Sequence, residues 1–374
     1  MQLAFAVFKY FRFGGMQRNM LAIAQACVER GHRVTIFTGS WEGDHPSGIA
    51  VKELAVSGLS NHRRNASFAE ALAEQLVLQP MDLVVGFNRM PGLDIYYAGD
   101  SCFAAKAYQD RSFLYRLTSR CRSSLAFERA VFGSQQSTDI LLVSSAERAA
   151  FEQYYQTQAE RFYAMPPGIS RRCIAPDNAE RLRTDTRRQL KVTDDEVLLL
   201  ALGSGFKTKG LDRSIELLAA LVKQRKARLL VVGQDKSAAF IAQAKRLGVA
   251  DCVEFVGGRD DVPAILQAAD LLLHPAYREN TGNVLIEAMV AGLPVIASRV
   301  CGYAHYIEDA EMGAVVEEPF DQAAFLSSVE TVLSKPRADW QQRGKQFANT
   351  ADVYSRPERA ADAIETIAAR RGLL

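Results

Sequence analysis

The sequence predicts an α/β protein made of two doubly wound, parallel-sheet domains. Three observations carry that expectation. The chain has 374 residues, too many for one ordinary core and suited to two domains of typical size. Its apolar residues gather in strand-sized runs, several nearly continuous, as in strands covered by helices on both faces. Those runs alternate with stretches whose apolar residues recur at helical spacing, the rhythm of repeated β-α-β units.

In the first half, LAFAVFKY (3–10), HRVTIFT (32–38), DLVVGFN (82–88), DILLVSS (139–145) and FYAMPPG (162–168) are the expected strands. Between the first two, Met20, Ile23, Ala24 and Cys27 repeat at helical spacing, and Gly31 suits the helix stop. The second half reads more cleanly. VLLLALGSG (197–205), ARLLVVGQD (227–235), CVEFVGG (252–258), LLLHPA (271–276), LPVIASRV (293–300) and GAVVEE (313–318) are separated by helical segments such as LDRSIELLAALVKQR. Met165-Pro166-Pro167-Gly168 marks the seam. The expected division is an N-terminal domain over 1–167, a C-terminal domain over 168–350, and a terminal helix over 351–374 able to pack back on the first domain.

Composition excludes several function classes. With 48% hydrophobic and 24% charged residues the chain reads as soluble and globular. A net charge of +2 implies no nucleic-acid partner. No apolar run approaches the ~18 to 20 residues of a membrane helix. The N-terminal segment reads as a strand rather than a secretion signal, because its start is not basic and Lys9 interrupts the apolar run. Six scattered cysteines without CxxC or metal spacing read as reduced structural thiols in a cytoplasmic protein.

The densest stretch is HPAYRENTGNVLIEAMVAGLPVIAS, residues 274–298. It lies just past an expected strand, where ligands collect in open parallel sheets. Gly282 lets backbone come close to something, and the amides of Asn283, Val284 and Leu285 would be unpaired donors at a helix start, suited to phosphate. Glu279 and Glu287 bracket this turn. Carboxylates beside a phosphate site repel it unless they accept hydroxyls, so a nucleotide with a sugar on each side of a diphosphate would use both. Helix-start stabilisation is the competing reading of Glu287.

The order Glu279, seven residues, Glu287 resembles the signature of retaining nucleotide-sugar glycosyltransferases of the GT-B fold, in which two Rossmann-like domains face a cleft. GSGFKTKG (203–210), VVGQD (231–235) and GRDDVP (258–263) extend the match. FKYFRFGGMQRN, SWEGD, GFNRMPGLDIYYAGD and CGYAHYI resemble, more narrowly, the bacterial lipopolysaccharide core glucosyltransferase I family. The resemblance implies roles. Glu287 accepts ribose hydroxyls, Glu279 holds the donor sugar, and amides at Thr281, Gly282, Asn283 and Val284 complete the grip. Lys209 neutralises the departing diphosphate, in a donor loop that includes Gly205. Ser204 stands where the family has an arginine partner and Thr208 where relatives place a basic residue, so Lys207 is the substitute. Arg259 sits where the family contacts uracil, largely through backbone. Gly14 and Gly15, with Arg18 and Asn19 beyond them, form a turn where backbone approaches the donor phosphate. Relatives carry an acid at position 19 and an arginine at 173, so Asn19 and Cys173 depart from the pattern; Arg172 is a neighbour. Asp100 faces the acceptor side and orients or deprotonates its hydroxyl, with a structural cap as the alternative.

The implied reaction moves glucose from UDP-glucose to an inner-core heptose of lipopolysaccharide with retention. A double displacement uses two carboxylates about 5 Å apart. No second acid pairs with Glu279 in the sequence, which favours front-face attack assisted by the leaving phosphate. No D-x-D pair occurs among the aspartates, so no metal or other cofactor is expected. Between 103 and 130, six basic residues (Lys106, Arg111, Arg116, Arg120, Arg122, Arg129) face two acids (Asp110, Glu128), with aromatics interleaved. That pattern suits an anionic membrane surface, and a peripheral position on the cytoplasmic face of the inner membrane; a solvated helical face is the alternative. Another UDP- or GDP-sugar with another glycolipid acceptor, and a silent nucleotide-sugar-binding protein at the membrane, are the competing functions. A Rossmann oxidoreductase is disfavoured because no G-x-G-x-x-G follows the first strand of either half.

Overall fold

The computed structural model describes residues 1–12 and 14–374. They form two compact units, Met1–Gly168 with Ser355–Leu374, and Ile169–Tyr354.

The first unit runs β1 (Gln2–Val7), α1 (Gly15–Glu29), β2 (Arg33–Thr38), β3 (Ala50–Glu53), α2 (Asn61–Leu78), β4 (Leu83–Gly86), β5 (Ile95–Ala98), α3 (Phe103–Gln109), α4 (Phe113–Arg116), α5 (Ser119–Phe132), β6 (Asp139–Leu142), α6 (Arg148–Tyr155) and β7 (Phe162–Ala164). Its seven parallel strands lie in the order β3-β2-β1-β4-β5-β6-β7. Alternate residues of β1 feed opposite layers, as the two-residue period of a strand requires. Leu3, Phe5 and Val7 pack toward Met20, Ile23 and Ile364, whereas Ala4 and Ala6 face Phe68, Val131 and Phe132.

The second unit runs α7 (Ala179–Gln189), β8 (Val197–Leu202), α8 (Leu211–Leu221), β9 (Ala227–Val232), α9 (Ala238–Arg246), β10 (Val253–Gly257), α10 (Val262–Ala268), β11 (Leu271–His274), α11 (Asn283–Val290), β12 (Val295–Ser298), α12 (Ala304–Asp309), β13 (Gly313–Val316), α13 (Gln322–Leu333) and α14 (Arg337–Thr350). Six parallel strands lie in the order β10-β9-β8-β11-β12-β13. Leu198, Leu199 and Leu200 of β8 and the leucines of β9 and β11 are almost wholly buried, which explains their continuous apolar runs.

The last helix, α15 (Arg356–Arg370), belongs to the first unit, so the chain leaves that unit after Gly168 and returns at Ser355. Ala360, Ile364 and Ile367 join the layer formed by α1. Buried Arg356 donates to the Pro166 carbonyl (2.7 Å) and the Tyr97 hydroxyl (3.1 Å), and Arg370 grips buried Asp139 at 2.6 and 2.7 Å.

All six strands expected in the second half form, each ending before its apolar run does. In the first half β1 stops at Val7 rather than Tyr10. There the Phe8 amide donates to the Asn88 side chain (2.8 Å) and Tyr10 stacks on Trp41 at 3.7 Å. The edge strand β3, of sequence AVKE, has no apolar run to announce it. All six cysteines are free thiols, and among the described residues no helix is long and apolar enough to cross a membrane.

Candidate active site

Chain order reverses between β1 and β4 in the first sheet and between β8 and β11 in the second. Loops leaving such neighbouring strands diverge and open a crevice at their carboxyl ends. In the second unit the loop 203–210 after β8 carries Lys209, and the loop 275–282 after β11 carries Glu279. The two are held together by a backbone bond and by a side chain of α8. The Tyr277 amide donates to the Thr208 carbonyl (2.8 Å), and Arg213 donates to the carbonyls of Pro275 (3.1 Å) and Ala276 (3.3 Å). Gly210, at φ +72°, lies so close that a Cβ would stand 1.9 Å from the Pro275 oxygen. Further on, the Gly302 amide donates to the Glu279 carbonyl (3.2 Å) and the Tyr303 amide to that of Thr281 (2.9 Å).

This scaffold brings three polar side chains to one point. The Lys209 ammonium and His274 Nε2 both reach Glu279 Oε2, the imidazole at 3.0 Å. His274 closes β11 and is 1% exposed. Burial alone would raise the Glu279 pKa. The hydrogen bond from His274 and the Lys209 charge outweigh it and hold the carboxyl at about 2. A small recess lined by Gly203, Phe206, Lys209, Leu273 and His274 opens beside the pair.

Gly282 caps α11 at φ +97°, a left-handed conformation, and a Cβ there would approach Leu285 Cδ1 to 3.0 Å and Glu279 Cγ to 3.4 Å. The amides of Asn283 and Val284 precede the first helical acceptor and point out of the helix start. Leu285 differs from the expectation. Its amide donates to the Gly282 carbonyl (2.9 Å), because the tight left-handed cap closes the first turn on itself. The buried Oδ1 of Asn283 has no hydrogen-bond partner among the described residues. Glu287 is half-buried one turn into α11.

Other expected residues lie nearby with their groups engaged. Lys207 bridges to Asp212 at 2.5 Å and sits over the Tyr277 ring rather than joining Lys209. Arg259 forms a two-pronged pair with Asp261 (2.8 and 2.6 Å), which ties its guanidinium to its own turn. Gly205, at φ +80°, has open space where a side chain would be. Ser204 Oγ accepts from the Gln234 amide (3.2 Å), Cys173 is buried, and Arg172 is exposed.

In the first unit, α1 begins at Gly15 behind buried Gly14, and Arg18 is exposed. Asn19 turns its amide to the Tyr97 hydroxyl (3.0 Å), the same group that Arg356 donates to, so this part of the side chain is structural. Asp100 is exposed after β5, and its loop is held by Arg89, which donates to the carbonyls of Asp100 (2.8 Å) and Ser101 (2.6 Å). Arg89 pairs in turn with fully buried Glu128 (2.7 Å). Glu128 also accepts the amides of Phe103 (2.7 Å) and Ala104 (2.8 Å) at the start of α3 and the Tyr155 hydroxyl (2.6 Å). Glu128 therefore does not offset the basic residues of α3–α5 at the surface. There Phe113 and Leu114 are 64% and 74% exposed, Arg116 lies over the Phe113 ring, and Arg111, Arg120 and Arg122 are exposed in the same segment.

His274, Arg89 and Glu128 are absent from the sequence-predicted site. The signal for His274 is a single polar ring ending an all-apolar strand five residues before Glu279. For the other pair the sequence offers none, since 39 residues separate them and only the fold joins them.

Two doubly wound units, one with a lysine–carboxylate pair beside a helix start at its switch point, define a GT-B glycosyltransferase. Family models agree: residues 13–172 match "Glycosyltransferase Family 4" and residues 183–347 match "Glycosyl transferases group 1". The chain belongs to this glycosyltransferase family. It is 45% identical over 368 residues to lipopolysaccharide glucosyltransferase WaaG of Escherichia coli K12, covering 97% of this chain and 98% of that protein. The crystal structure of WaaG, a glycosyltransferase involved in lipopolysaccharide biosynthesis, superposes with a TM-score of 0.93 at 46% identity, over 97% and 99% of the two chains. Anabaena HepE, crystallised with UDP-glucose, shares the fold at 19% identity and a TM-score of 0.76, over 98% of this chain and all of that one.

Proposed function

We propose that this glycosyltransferase moves glucose from UDP-glucose to an inner-core heptose of lipopolysaccharide with retention of configuration. The convergence of Lys209 and His274 on Glu279 beside the start of α11 carries this reading. It is supported by 45% identity across 97% of the chain to a protein named as a lipopolysaccharide glucosyltransferase. The donor diphosphate would meet the Asn283 and Val284 amides and draw the Lys209 ammonium from its carboxylate. Glu279 would accept hydroxyls of the sugar, and Glu287 those of the ribose. The uracil lies against backbone near Arg259.

Glu279 stays ionised at working pH, so it orients and stabilises rather than delivering a proton. Lys209 and the helix amides stabilise charge developing on the departing phosphate, which takes up the acceptor proton on the face it leaves. Asp100 orients the acceptor hydroxyl. No metal takes part: full rate in excess chelator is expected, and its abolition overturns the point.

The exposed basic and aromatic surface of α3–α5 would hold the enzyme on the anionic cytoplasmic face of the inner membrane, where a lipid-anchored acceptor is met. Flotation with anionic vesicles but not neutral ones is expected; equal recovery with both overturns the electrostatic account.

The deciding experiment is transfer from labelled UDP- and GDP-sugars to heptose-terminated lipopolysaccharide, with Glu279→Ala and Lys209→Ala as controls. Glucose from UDP-glucose is the expected product. Transfer of another sugar replaces the donor, and UDP binding without any transfer favours a silent binding protein.

A further inference from the structure

We infer that His274 is a positioning residue for glycosyl transfer: its Nε2–H holds the Glu279 carboxylate in place when the donor diphosphate takes Lys209. The inference rests on the proposed donor position and adds a residue to it. Lys209 and His274 share one oxygen, Glu279 Oε2. The ammonium sits on a long side chain leaving a loop, and a diphosphate is the stronger competitor for it. The imidazole is fixed. It is 1% exposed and projects from the last residue of a strand whose backbone is paired with Ala297. Because Glu279 is anionic and can only accept, Nε2 carries the proton of that contact.

Among the described residues the titratable groups facing Glu279 come from three elements: Lys209 after β8, His274 at the end of β11, and Cys301 after β12, whose backbone bridges that of Glu279. Burial, and after it the Glu279 charge, push the Cys301 thiol up to about 12, so it is neutral and brings no compensating charge. Once Lys209 turns to phosphate, His274 is the remaining donor of the three. Losing it would let a buried carboxylate swing toward the lysine or take up a proton, and either change misplaces the sugar.

The test compares His274→Gln, which keeps a donor at similar reach, with His274→Leu, which keeps the volume and removes the donor. The leucine variant should lose about tenfold to a hundredfold in kcat, with a smaller loss in UDP affinity because the Asn283 and Val284 amides still meet the diphosphate. The glutamine variant should regain most of the loss. Glu279 loses a contact that favours its anion, so the leucine variant should also show an acid limb in its rate profile at higher pH than the wild type. A leucine variant within about twofold of wild-type kcat, or a glutamine variant no better than leucine, overturns the inference. Should leucine fail to fold, His274→Asn, whose shorter side chain withdraws the donor, takes its place. If wild-type enzyme transfers nothing, the functional proposal fails on its own. The carbon-13 titration of the Glu279 carboxyl then reads the inference separately, and equal midpoints in wild type and variant overturn it.

Discussion

The two switch points share a topology and differ in where their charges go. Between β8 and β11, Lys209, His274 and Glu279 converge beside a helix start, with backbone ties holding both loops. Between β1 and β4 the glycine turn at 14–15 offers backbone, while Asn19 bonds to Tyr97. Farther along the same sheet, Arg89 and Glu128 close on each other to hold the loop bearing Asp100. The same β-α-β frame thus gathers three charged or polar side chains on one oxygen in one unit and an ion pair that holds a loop in the other. A doubly wound sheet supplies the place; the loops that leave its strands decide which polar groups meet there.

The largest expected effect breaks the charged side of this comparison. Lys209→Ala should lower kcat by about a thousandfold, the scale of removing one strong electrostatic contact to developing charge. Single-turnover transfer measures it, and a loss under about tenfold would move the leaving-group role elsewhere. Glu279→Gln should cost on the order of a hundredfold, since the amide keeps the shape and loses the charge. The same pair gives a sign to pH dependence. Glu279 titrates lower in the folded chain than in the unfolded one, at about 2, so its stabilisation is complete above the ordinary carboxylate range. That stabilisation is lost as pH falls from there toward about 2, and the acid-unfolding midpoint of Lys209→Ala should lie at higher pH than that of the wild type.

The structural side breaks differently. Glu128→Ala leaves the mostly buried Arg89 without its carboxylate and should destabilise by about 3 to 5 kcal/mol, read by denaturant unfolding, with kcat of the folded fraction falling as well because the loop bearing Asp100 loses its anchor. Asn19→Ala removes one hydrogen bond to Tyr97 and should cost about 1 kcal/mol, with UDP affinity nearly unchanged. The smallest effect is expected for Arg259→Ala. Its guanidinium is already committed to Asp261, so UDP affinity measured by calorimetry should change less than about threefold. A larger loss would mean the donor breaks that pair.

Much of the fold was legible because parallel strands buried on both faces must be continuous apolar runs, as in 197–202, 227–232 and 271–274. Edge strand β3 was not, because a strand half-open to water needs no such run. Glu279, Lys209 and the Gly282 turn could be placed from their positions after expected strands and from the family resemblance. Leu285 was misplaced because the closure of its amide depends on the left-handed cap, a backbone detail that spacing does not encode.

By itself the sequence determined the class of fold, the two sheets, and the loops that follow the buried strands, because periodicity records burial along the chain. The tertiary structure alone decided partnership. It gave His274 to Glu279, Arg89 to Glu128 and Arg259 to Asp261, and returned α15 to the first unit. The physical reason is that charge pairing acts over a few ångströms in space, and no local pattern records which distant residues the fold will bring within that reach.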